Sequence, residues 1–241
     1  MAALVEREMR NWELRRRQPL GEHREPKKTL KFYIAISRES GCGEDEIADK
    51  LAKLTGFEKF DRELLDYMVT KEDIRRQLYE SLDDRTMGWI ESILSNLSFG
   101  PTVDLEEYFH RLCHAIFAIC YNTHAIIVGR GANFILPRER GVAVRLVAPF
   151  DFRLKKYAEQ TGMDLAQAAK TIRTLEKWRG QFVEDHFGCF AFDPRRFDLV
   201  INVSQFTTDD VAAMIAETLK AKIGNEITIP LPKEKVPAGR G

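Results

Sequence analysis

Two hydrophobic periods alternate along this chain. Phe32, Tyr33, Ile34, Ala35 and Ile36 form an unbroken apolar run, and behind it Ile47, Leu51 and Leu54 recur at spacings of four and three. The run predicts a strand buried on both faces, and the recurrence predicts a helix with one buried stripe. Gly41 and Gly43 lie between them. Gly56 then stops the helix, a short strand covers 57–60, and Asp61 is placed to cap a helix over 62–70. Residues 71–121 read as mostly helical, with a break at Gly100-Pro101. Ala125, Ile126, Ile127 and Val128 form another buried strand, with Gly129-Arg130-Gly131 turning at its end, and 142–147 is a further strand. Pro149 and Asp151 open a helix, and two helical segments run to about Phe187. A last strand covers 198–202, and a last helix covers 207–223, capped by Thr207 or Thr208.

Short strands that do not alternate, separated by helices, indicate a three-layer α/β fold with a parallel sheet covered on both faces. Such sheets bind ligands beyond the carboxyl ends of their strands. Residues 37–43, Asp61 and residues 129–131 all fall at that edge.

The bulk numbers narrow the picture. At 241 residues the chain holds one large domain, expected over 29–224, with a helical insertion at about 71–121. The charged stretch 1–28 reads as a short helix and linker outside the core, and the proline-rich stretch 225–241 as a disordered tail. The 37 basic and 37 acidic side chains cancel, so no general attraction to nucleic acid is expected. No apolar stretch reaches membrane-spanning length and the start lacks a signal-peptide core, so a cytoplasmic protein without membrane contact is expected. The four cysteines (Cys42, Cys113, Cys120, Cys189) show no metal-ligand spacing and read as reduced thiols, with Cys113 and Cys120 packed on one helix. Trp89, Ile93 and Leu97, and Leu112, Ile116 and Ile119, sit at helical spacing and suit core packing or a homodimer contact through the insertion.

The strand–glycine loop–helix unit has the architecture of a phosphate-binding loop, in which backbone N–H groups and a helix N-terminus hold the anion. Laid over G-x-x-x-x-G-K-[ST], Arg38 replaces the first glycine, Gly43 keeps the last, Glu44 replaces the lysine and Asp45 the hydroxyl residue. The cofactor-binding candidates are therefore Ser37, Arg38, Glu39, Ser40, Gly41, Cys42, Gly43, Glu44 and Asp45. The charge is inverted: a unit charge about 4 Å from a phosphate is worth roughly 4 kcal/mol at an effective dielectric near 20. Replacing attraction by repulsion would abolish useful ATP affinity unless another cation compensates. Glu44, Asp45 and Glu46 serve either as first-turn acids that suit the helix dipole or as ligands of Mg²⁺. Arg38 either reaches phosphate oxygens or pairs with Glu39 or another nearby acid.

The blocks SRESGCG, FEKFDRELL, IIVGRGANFIL and FDLVINVSQFTTDDVAAMI, in that order, resemble the cytidylate kinase-like family, from about Leu30 to Lys222. The resemblance implies a P-loop kinase-type core with an ATP site at the glycine loop, a mobile helical segment for the acceptor and an arginine-bearing lid. It makes Asp61 and Arg130 the acceptor-facing residues and places Arg173 and Arg179 in the lid. With Arg38 and Arg130, these lid arginines are the catalytic candidates. ATP and Mg²⁺ are the implied cofactors, and a nucleotide and a small phosphate acceptor such as a nucleoside monophosphate are the implied partners.

Read as residues, Arg130 follows a buried strand between two glycines, either aimed at the ligand edge or closing a loop salt bridge. Asp61 is a helix cap that could also orient an acceptor hydroxyl. His186 reads as a packed or capping side chain rather than a base. Two functions remain open: phosphoryl transfer, favoured by Arg38, Arg130 and the lid arginines, and a catalytically impaired pseudokinase that binds a partner, favoured by the acidic turn.

Overall fold

The computed structural model describes residues 30–82, 84–94 and 103–224. The expected N-terminal extension, the Gly100-Pro101 break, Leu97 and the tail lie outside the described residues, as do the side chains of Trp89 and Ile93. The described strands form one parallel sheet: β1 (Tyr33–Arg38), β2 (Glu58–Phe60), β3 (Ala125–Val128), β4 (Gly141–Val147) and β5 (Leu199–Asn202), in the order β2-β3-β1-β4-β5. β1 is central, pairing Ile34 with Ile126 on one side and with Val142 on the other. It runs two residues further than its apolar pattern suggests. Ser37 and Arg38 stay in register with Arg145 and Leu146 of β4, because ladder hydrogen bonds are made by the backbone whatever the side chain.

Side chains on the central strand alternate between two cores. Tyr33 and Ala35 face a cluster shared with α2 (Arg62–Thr70), α3 (Glu72–Glu80), α4 (Asp84–Leu94) and α5 (Val103–Asn122). Ile34 and Ile36 face the other side, against α1 (Glu44–Thr55) and α9 (Thr208–Ile223). Leu112, Ile116 and Ile119 are wholly buried in the first cluster, so they are core and not a surface for a second copy. All four cysteines are free, with Cys113 and Cys120 wholly buried.

A short helix, α6 (Ala132–Ile135), follows the turn after β3. After β4 come α7 (Phe150–Thr161) and the long α8 (Leu165–Phe187). The far end of α8 is anchored on the helical insertion: His186 stacks on Phe109 of α5 with ring centroids 4.1 Å apart, and Phe182 and Phe187 pack edge-on to the same ring. His186 is thus a packing residue whose basicity is lowered chiefly by burial. α9 begins with a capping box in which Thr207 and Asp210 exchange hydrogen bonds, so the cap is Thr207 and not Thr208. Among the described residues no helix is long and apolar enough to cross a membrane.

Candidate phosphate-binding site

The strands are parallel, so the segments after β1, β2 and β3 open on one edge of the sheet. After β1 the chain turns through Gly41 and Gly43, both left-handed, with φ of 86° and 76°. Any side chain at Gly41 would run into the backbone carbonyl of Arg153 on α7, and one at Gly43 into the ammonium of Lys156. At Gly41 glycine is needed for space as well as for φ, whereas at Gly43 the φ is the firmer requirement because a lysine side chain can swing aside. Gly43 caps α1 with no side chain accepting its first-turn amides, which leaves the positive end of the helix facing the loop.

Three of the four acids here, Glu39, Glu44 and Glu46, are already held. Arg38 Nε donates to Glu44 Oε1 at 3.0 Å, so the acid it pairs with is Glu44 and not Glu39. Glu39 is ion-paired with Arg153 at 3.1 Å and accepts from the backbone N–H of Ala148, with Arg145 4.0 Å away, so it braces the loop against β4 and α7. Glu46 is paired with Lys50 at 3.2 Å and accepts from the Thr208 hydroxyl. Asp45 is exposed, and desolvation against the loop first, then the neighbouring Glu44 charge, raises its pKa. Cys42 points into the core beneath α1; burial, reinforced by Glu44 and Glu39, pushes its thiol up to about 12. Its place in the loop is structural.

Cations converge on the same place from other elements. Arg145, buried in β4, donates to Ser37 Oγ at 2.9 Å. Arg179 of α8 donates to Ser40 Oγ at 2.9 Å; burial first, then the like charge of Arg38, pushes its pKa down to about 10, which still leaves it charged at neutral pH. Lys156 stands against Gly43, and its charge is felt by Glu46, whose pKa it helps to lower. One carboxylate enters from α8: Glu176 accepts from the Ser40 backbone N–H at 3.3 Å and from Arg153. A cavity of about 540 Å³ opens beside these groups, lined by Arg38, Glu39, Arg145, Glu176, Arg179 and Phe192 among others. That volume lies within the range of small-molecule sites.

The other predicted residues divide. Arg130 is the sole non-glycine residue with positive φ (54°) among the described residues, between two left-handed glycines. Its guanidinium pairs with Asp66 of α2, which also accepts from the Tyr108 hydroxyl at 2.6 Å. Arg130 Nε is buried and lacks a partner among the described residues. Such strain and an unpaired buried donor are features that gather at functional sites. Asp61 caps α2 by accepting from the Leu64 N–H at 2.9 Å. Arg173 is exposed, and its recorded contact is the Phe150 ring, with 5.5 Å between guanidinium carbon and ring centroid. The structure therefore joins Arg38, Arg179 and the loop, places Arg130 across a shared smaller cavity, and leaves Arg173 outside.

Sequence reasoning missed Arg145, Arg153, Lys156, Glu176 and Asp66. For Arg145 a signal existed: an arginine inside the apolar run Val142, Ala143, Val144, Leu146 must have a partner to pay for its burial. The others lie on amphipathic helices, where charged residues are ordinary.

The profile of the cytidylate kinase-like family matches residues 33–205. No curated protein matches the chain. Among solved structures, an uncharacterized protein from Eubacterium ventriosum ATCC 27560 is 23% identical, with a TM-score of 0.63 over 79% of this chain and 99% of that one. The shikimate kinase from Acinetobacter baumannii (16% identity, 83% of this chain and 97% of that one, TM-score 0.41) and a gluconokinase from Sinorhizobium meliloti 1021 (15%, 81% and 93%, 0.38) are more distant. The first likeness speaks for the fold alone, and at their TM-scores the other two carry no argument.

Proposed function

The chain belongs to the cytidylate kinase-like family, and on that premise we propose that this nucleotide-binding, kinase-like protein transfers the γ-phosphoryl group of ATP to a small acceptor. A nucleoside monophosphate is the leading choice. The observation that carries the reading is Lys156. Its ammonium lies against Gly43, at the mouth of the glycine loop, where a lysine is expected one residue later in the chain. The compensating cation that the acidic turn requires is thus supplied by α7, while Arg38 neutralises Glu44.

The residues fit a triphosphate: left-handed glycines beside an uncapped helix N-terminus, with Lys156, Arg145 and Arg179 around them. Mg²⁺ fits more sparsely. Asp45, at the position of the usual hydroxyl, would be its protein carboxylate, with phosphate oxygens and waters as the remaining ligands, as is common for this ion. When bound, it would spread the charge of the β- and γ-phosphates. In such transfers the acceptor oxygen bonds to the γ-phosphorus as the bond to the β–γ bridging oxygen breaks, so positioning and charge stabilisation do the catalytic work. Lys156 and Arg179 would hold the transferring group, and Arg130, steadied by Asp66, would hold an anionic acceptor.

A second reading, an impaired kinase that binds nucleotide weakly, is favoured by Glu176, whose carboxylate takes a loop amide. Calorimetric titration with ATP and ADP, with and without Mg²⁺, and a coupled transfer assay over a panel of monophosphates test both. Mg²⁺-dependent binding with turnover supports the kinase, and binding without turnover on any acceptor supports the impaired form. Tight binding in EDTA would show that Lys156 and the arginines suffice without Mg²⁺, and no binding of either nucleotide under any condition would overturn both readings.

A further inference from the structure

We infer that Glu91, His110 and His114 form a site for a divalent transition-metal ion, best suited to zinc, that fastens α4 to α5 in the helical insertion. None of these residues belongs to the phosphate-binding site, and the inference does not depend on the kinase reading.

His110 and His114 are four apart on α5, so their rings leave the helix on one face, with centroids 4.5 Å apart and planes inclined at 43°. Glu91 approaches from α4. Its Oε2 lies 3.1 Å from His110 Nε2 and its Oε1 3.0 Å from His114 Nε2, so one carboxylate spans both imidazoles. All three ligand atoms lie within 4.8 Å of one another. Around a tetrahedral zinc with bonds near 2.0–2.1 Å, ligand atoms stand roughly 3.3 Å apart. The observed nitrogen–oxygen separations are thus already close to one edge of that tetrahedron, and an ion could enter with small side-chain movements.

The chemistry of the donors agrees. Two imidazoles and one carboxylate make a known zinc ligand set that leaves a fourth position for water, while Ca²⁺ and Mg²⁺ prefer oxygen donors. His114 is 1% exposed and its Nδ1 meets no partner among the described residues, so its recorded polar contact runs through Nε2 alone. The Tyr79 ring, 5.1 Å away, packs against it. The site is half-open: Glu91 is exposed, so an ion has a path in.

The full chain, stripped with a chelator, is titrated with Zn²⁺ against a chromophoric zinc indicator and with Co²⁺ followed by visible absorption. One tight equivalent of zinc and a four-coordinate cobalt spectrum are expected. Glu91→Gln and His110→Gln, both at accessible positions, should each weaken zinc binding at least about a hundredfold, above the loss that outer-shell partners bring. Both should fold and unfold as the wild type does in the absence of metal. Zinc should raise the wild-type melting temperature and leave that of both variants unmoved. The inference is overturned if no stoichiometric binding occurs, in which case the trio is a hydrogen-bonded brace. It is equally overturned if both variants bind zinc as tightly as the wild type, which would put the ion elsewhere, as at Cys189.

Discussion

Two turns end adjacent strands at the same edge of the sheet, and they acquire their charge in opposite ways. The turn after β3 carries its own arginine. Gly129 and Gly131 let the backbone hold Arg130 at a positive φ, and the side chain reaches Asp66 on α2. The loop after β1 also carries an arginine, but Arg38 is taken up by Glu44 in the next helix. Its second cation, Lys156, arrives from α7 through the space left by two glycines. One turn presents charge by local geometry, and the other by leaving room. A glycine loop without the usual lysine can therefore still have a cation beside it, provided another element packs closely enough to supply one.

The most severe way to break this contrast is to fill the space. Gly41→Ala should cost roughly 2–4 kcal/mol of stability, combining overpacking against the α7 backbone with a Cβ in a left-handed position. Gly162→Ala, also at positive φ but with nothing near its added Cβ, should cost about 1–2 kcal/mol from conformation alone. Urea unfolding of the two variants measures the difference. Equal costs would mean that contact with α7 is not what requires glycine in the loop.

A second comparison separates the two cations. Lys156→Ala should weaken triphosphate binding by about 2 kcal/mol, near thirtyfold, and change acceptor affinity little. Arg130→Ala should do the reverse and lose some stability as well, because Asp66 is left with Tyr108 and Arg62. Calorimetry with each ligand on each variant gives four numbers. A pure stability loss in Arg130→Ala would remove Arg130 from the acceptor site.

The smallest effect is expected at Glu44. Glu44→Gln frees Arg38 from its ion pair and takes one negative charge from the loop. Triphosphate affinity should rise by about 0.5–1 kcal/mol, the scale of a partly exposed pair. An unchanged affinity would show that Arg38 and Glu44 already act on the ligand as a neutral unit.

Much of this architecture was legible in the chain. The apolar runs at Ile34, Ile126 and Val144 predicted strands buried on both sides, and burial of both faces implied the parallel sheet that puts residues 37–43, Asp61 and 129–131 on one edge. Asp61 was readable as a cap, and Thr207 as one of two neighbouring candidates, since capping depends on neighbours three residues away. The extent of β1 was not, because its last two residues are strand by pairing with β4 and not by their own character.

The chain's linear pattern determined which residues could line the ligand edge, because strand direction and turn position follow from local periodicity. It could not decide which charges survive there. Arg38 and Glu44 cancel across the loop itself, while Glu39 is spent on Arg153 and Glu176 reaches a loop amide through contacts between segments distant in the chain. Lys156 is one of many lysines on a helix until α7 packs against Gly43. A charge acts over a few ångströms in the partly dry space of a protein, so its effect is fixed by the tertiary neighbours it meets.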